Sequence, residues 1–102
     1  MKADIYIKVR FRTTEEGGRK TFLKLKAPME VDFYACPMKI DDKFYDCRLF
    51  IGDREIKLGE HYEVPAIFLD QESVLENLSV GKNIVIWESR EVADGQVIRI
   101  CD

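Results

Sequence analysis

The chain has 102 residues, 46% of them apolar, and a formal net charge of -3. That length is one domain, residues 1–102, with enough apolar matter for a core. No apolar run approaches the ~20 residues of a membrane-spanning helix, and Met1-Lys2-Ala3-Asp4 leads straight into a strand pattern with no secretory h-region; a soluble cytoplasmic protein without membrane association is expected.

Ile5, Ile7, Val9 and Phe11 alternate with Tyr6, Lys8, Arg10 and Arg12, the period of a half-buried strand. Glu15-Glu16-Gly17-Gly18-Arg19-Lys20-Thr21 follows, and Phe22, Leu23 and Leu25 restart the apolar pattern. Adjacent glycines accept positive φ, so this stretch is expected to be the exposed tip of a β-hairpin. A short aromatic strand is expected over Val31 to Ala35, stopped by Cys36-Pro37, with a turn at Asp41-Asp42. Lys43 to Ile51 alternates again, with Tyr45, Cys47, Leu49 and Ile51 on one face. Gly52-Asp53 reads as a turn, Glu55 to Leu58 as a short strand or extended link. Tyr62 to Leu69 carries Pro65, which removes a ladder donor and predicts an edge or bulge there. Val74, Leu75 and Leu78 have helical spacing, and Asp70 or Ser73 can cap one turn. Asn83 to Glu88, a connection over Ser89 to Gly95, and Gln96 to Cys101 complete the pattern. The expected fold is all-β: a small antiparallel Greek-key barrel of six to seven strands with one short helical turn.

Charge is unevenly spread. Residues 1–26 hold eight basic and three acidic side chains, and the remainder holds eight basic and sixteen acidic. Lys8, Arg10 and Arg12 share a strand face, and a paired return strand would add Lys24 and Lys26. Such a stripe suits phosphates or an acidic protein surface, but the favoured reading is a solvated strand face balanced by acids from elsewhere in the barrel. Cys36, Cys47 and Cys101 are odd in number, with no CxxC spacing. Buried reduced thiols are expected, with a disulfide to Cys36 left open.

Three motifs in order carry a resemblance. Glu15-Glu16-Gly17-Gly18-Arg19-Lys20-Thr21 follows the first strand. Leu58-Gly59-Glu60 leads into Tyr62-Glu63-Val64-Pro65-Ala66-Ile67-Phe68-Leu69. Val80-Gly81-Lys82-Asn83-Ile84-Val85-Ile86-Trp87-Glu88 is followed by Val92-Ala93-Asp94-Gly95-Gln96-Val97. Order and spacing resemble the C-terminal (third) β-barrel domain of elongation factor Tu over nearly the whole chain, here as a stand-alone domain. The resemblance implies a Greek-key barrel and a tRNA-facing first hairpin, placing Arg19, Lys20 and Thr21 as candidate RNA contacts, with Arg10 and Arg12 on the adjoining basic face. The chain departs from the family at three points. It has no GxxxxGK[ST] loop and therefore no GTPase. Lys20 stands at a histidine of the family motif. Trp87 stands at the arginine of the last hairpin, whose glycine-rich tip is replaced by Ser89-Arg90-Glu91.

No residue pattern points to catalysis. His61 is the lone histidine, with no nucleophile in a recognisable motif. Asp41, Asp42 and Asp46 lack the spacing of a calcium loop. A non-enzyme is expected, with no cofactor, metal or small-molecule substrate. If Ile84 and Ile86 face inward, Val85 and Trp87 face outward, either as an interface patch with Arg90 nearby or covered at a barrel seam. The leading expectation is a non-catalytic binding module acting through protein-protein contacts. RNA or tRNA binding through the basic first hairpin is the alternative, and an immunity or antitoxin-type protein is a third.

Overall fold

The computed structural model describes residues 2–25 and 32–101. Six strands form one closed antiparallel barrel: β1 (Ile5–Phe11), β2 (Phe33–Ile40), β3 (Lys43–Phe50), β4 (His61–Phe68), β5 (Asn83–Trp87) and β6 (Glu91–Ile100). Their order around the barrel is β1-β4-β3-β2-β5-β6. β2, β3 and β4 follow one another as neighbours, and β5 returns to lie beside β2, which is the Greek key. β1 and β6, far apart in sequence, close the circle side by side.

Alternation puts one apolar side chain of every two inside. Ile5, Ile7, Val9 and Phe11 from β1 meet Met38 and Ile40, Leu49, Val64 and Ala66, and Ile84 and Ile86 in a single core. Each of these side chains except Ala66 is worth roughly 1.5–3 kcal/mol when removed from water. A short helix, α1 (Gln71–Leu75), carries Val74 into this core, and Asp70 caps it by accepting from the Ser73 amide. Leu78 follows inside, with Leu75 packed half-buried against the core. The turn at Asp41-Asp42 joins β2 to β3, with Asp41 at φ 58; aspartate tolerates that left-handed region better than most residues.

The first loop is not a hairpin tip. Thr14–Glu16 form one 3-10 turn, closed by a capping box between Thr13 and Glu16, with Gly17 at φ 86. The chain then turns away from β1. Gly18 lies so close to the Arg12 carbonyl that a Cβ would sit 2.2 Å from its oxygen. Leu23 is buried and pairs with Ile56, through amide-to-carbonyl bonds of 3.0 and 2.8 Å. β1 is flanked by β4 and β6, so no return strand joins the basic face. The Lys24 ammonium reaches the Asp53 carbonyl instead, at 3.3 Å, and Lys26 lies outside the described residues.

One proline expectation changes and the other holds locally. β2 is not stopped at Cys36-Pro37 but runs through it to Ile40; Val31 lies outside the described residues. Pairing of β2 with β5 covers Met38 and Lys39 and ends before Pro37. Pairing of β3 with β4 reaches Ala66 and ends before Pro65. At Pro65 β4 is thus paired only to β1, a local edge of the kind expected there. Each proline stands where a ladder has run out, so its missing N–H leaves no carbonyl wanting. The last connection is shorter than expected. Glu88, Ser89 and Arg90 make the turn and β6 already starts at Glu91, with Gly95 inside the strand.

Candidate functional site

The candidate residues fall into two neighbouring groups on the outside of the barrel. The first gathers where the loop after β1 meets the turn between β5 and β6. Arg19, Lys20, Thr21, Glu88 and Arg90 line one shallow cleft of about 270 Å³. Its centre is Glu88. One carboxylate oxygen accepts from the Arg19 guanidinium and from the Tyr34 hydroxyl. Burial first, then the hydrogen bond to Glu88, push the Tyr34 hydroxyl far above its ordinary range, so it remains a donor. Arg19 also holds the Thr21 carbonyl at 3.3 Å. Lys20, Thr21 and Arg90 are exposed.

Arg10 and Arg12 project from the end of β1 toward other partners. Arg10 donates to the Gly59 carbonyl at 3.1 Å and pairs with Glu16 at 3.0 Å. Glu16 is held at a pKa of about 2, chiefly because it accepts from the Thr13 amide and next from Arg10. Arg12 grips Asp94 with two bonds of 2.7 Å and reaches Glu91 at 3.1 Å. Such a fork on a carboxylate is the strong form of the ion pair. All three candidate arginines are thus matched to carboxylates. Of the positive stripe read from the sequence, Arg10 and Arg12 are neutralised in this way, while Lys8 is exposed.

The second group is apolar. Ile84 and Ile86 face inward and Val85 and Trp87 face outward, half-buried. Trp87 meets the ring of Phe44 edge-on at 5.2 Å between centroids. Phe44, from the start of β3, is 51% exposed. Around these rings lie charges. The Lys39 ammonium stands 5.9 Å from the Phe44 ring and 4.0 Å from Glu91. The rings thus sit beside a charged rim.

Phe44 was not singled out in the sequence, although the turn at Asp41-Asp42 places it opposite Lys39 beside β5. The link of Tyr34 and Glu88 left no sequence signal, because the two meet only where β5 returns to lie beside β2. Cys36 and Cys47 are direct cross-strand partners, both buried. His61 is exposed and opposite Arg10. Among the described residues, no group of three or more His, Cys, Asp or Glu is placed to hold a metal ion, and no helix is long and apolar enough to cross a membrane. No protein-family model matches the chain, and no curated protein matches it.

Proposed function

We propose that this chain is a translation-factor-type β-barrel that works as a non-catalytic binding module through protein-protein contacts. The carrying observation is the outward pair Phe44 and Trp87, with Val85 beside them and Lys39, Glu91 and Arg90 nearby in sequence or space. Exposed aromatic rings are costly in water and are the side chains that most often anchor a partner. The six-stranded Greek key is the fold that the resemblance to the third domain of elongation factor Tu implies, and it supports the reading at that level. RNA binding through Arg10, Arg12, Arg19, Lys20 and Thr21 is the weaker reading, because Glu16, Asp94, Glu91 and Glu88 already occupy the three arginines.

The test is affinity capture from the native cell followed by mass spectrometry and RNA sequencing. Wild type is compared with Phe44→Ser/Trp87→Ser and with Arg19→Glu, each first checked for folding by circular dichroism. A protein recovered by wild type and Arg19→Glu but lost from the aromatic variant supports the proposal. Recovery of tRNA alone, falling steeply with salt and lost from Arg19→Glu, replaces it with the RNA reading. No partner of either kind, together with no self-association, overturns both.

A further inference from the structure

The thiols of Cys36 and Cys47 lie opposite each other across the β2–β3 hairpin, with their sulfurs 3.8 Å apart. Directly opposed residues of an antiparallel pair have Cα atoms about 4.5–5.5 Å apart. That lies inside the ~4.4–6.8 Å span of disulfides. The backbone therefore already meets the requirement, and only the sulfurs must approach, by small side-chain rotations. No other group competes for the pair except the Cys36 carbonyl, which accepts from the Cys47 thiol at 3.2 Å. A surface groove of about 270 Å³, walled by Pro37, Asp46 and Leu69, reaches both residues. The ladder to β5 ends just before Pro37, so over this point β2 is paired to β3 alone.

We propose that Cys36 and Cys47 are a reversible modification site, closing to a cross-strand disulfide with a low-molecular-weight disulfide such as oxidised glutathione as the oxidant. Cys36, the more exposed of the two, acts first. Its thiolate attacks one sulfur of the small disulfide, forms a mixed disulfide and expels one thiolate. The Cys47 thiolate then attacks the Cys36 sulfur, forms the Cys36–Cys47 bond and expels the second. The two cysteine sulfurs give up two electrons to the small disulfide. The two cysteine protons end on the two small thiols released. The hydrogen bond with Cys47, and burial next, hold the Cys36 thiol protonated, so closing is slow at neutral pH and faster as pH rises.

The experiment uses the folded Cys101→Ser chain, which leaves only this pair. It is incubated with oxidised glutathione at several pH values, unfolded in an alkylating agent, and measured by intact mass and peptide mapping. The expected product lacks two hydrogens, takes up no alkyl groups at Cys36 and Cys47, and yields one linked peptide that dithiothreitol separates. Cys36→Ala in the same background is expected to show no internal link. Full alkylation of both thiols after incubation, or a stable glutathione adduct that never resolves, overturns the proposal. A link between Cys101 and either thiol in the wild-type chain, in place of Cys36–Cys47, also overturns it. Circular dichroism before and after incubation confirms that the folded protein was the reactant.

Discussion

Glu88 is the residue on which the two candidate groups depend. Its neighbours Trp87 and Ser89 belong to the aromatic patch and to the turn, while its carboxylate holds Arg19 and Tyr34. The Arg19 and Glu88 side chains keep only 22% and 26% of their exposure. Glu88→Ala leaves a half-buried hydroxyl and a guanidinium without their acceptor, and is expected to cost about 1–3 kcal/mol in urea unfolding. It also releases Arg19. Under the RNA reading, tRNA affinity then rises at low salt; under the protein reading it does not change. The second residue-scale expectation concerns Glu16. Its folded pKa of about 2 lies below the ordinary 4.5, so its contribution is complete above 4.5 and is lost as pH falls through about 2. The amide resonance of Thr13, which donates to the Glu16 carboxylate at 2.8 Å, should titrate with a midpoint near 2, and the titration should vanish in Glu16→Ala.

Strand elements were legible wherever one face is buried and the other wet, because that forces strict alternation. β1 and β3 are the clear cases, and Asp41-Asp42 marked the turn of the β2–β3 hairpin. What the sequence hid is the partner of each strand. Phe22 to Leu25 looks like the return arm of a hairpin, yet Leu23 serves the link at Ile56. Cys36-Pro37 looks like a stop, yet β2 passes through it, because the neighbouring ladder has already ended. Gly95 looks like part of a turn, yet it is held inside β6 by proximity to β1. A Cβ there would fall 2.5 Å from the Lys8 carbonyl oxygen and 3.2 Å from the Ile84 side chain. Gly95→Ala is therefore expected to lower stability by roughly 1–3 kcal/mol, as overpacking does, with the loss visible in urea midpoints. The aromatic half of the site was partly readable, since alternation faces Val85 and Trp87 outward. The basic half was readable as charge but not as pairing, because Arg12 meets Asp94 only after β1 and β6 close.

Closure dominates at the scale of the whole molecule. β1 cannot be flanked on both sides until β4 and β6 have formed, so most of the pairing joins distant parts of the chain. Barrels of such contacts fold in about milliseconds to seconds. Stopped-flow mixing with Trp87 fluorescence should show a main phase in that range. A microsecond phase carrying the full amplitude would contradict the topology. Closure also leaves few free strand edges on which another chain could add a strand. On the proposed reading, a partner engages side chains on the outer faces, and the Phe44–Trp87 surface is the candidate face.

The pairing of β1 with β6 has one more result. The Cys101 amide donates to the Asp4 carbonyl at 2.9 Å, so the described ends of the chain lie side by side. Joining them by a few flexible residues costs little, and exposed turns are where a polypeptide tolerates a break. A circular permutant linked from the end of β6 to the start of β1 and opened between Asp41 and Asp42 should keep the far-ultraviolet spectrum and cooperative melting of the original. The barrel, in other words, has an order around its circumference and no obligatory beginning.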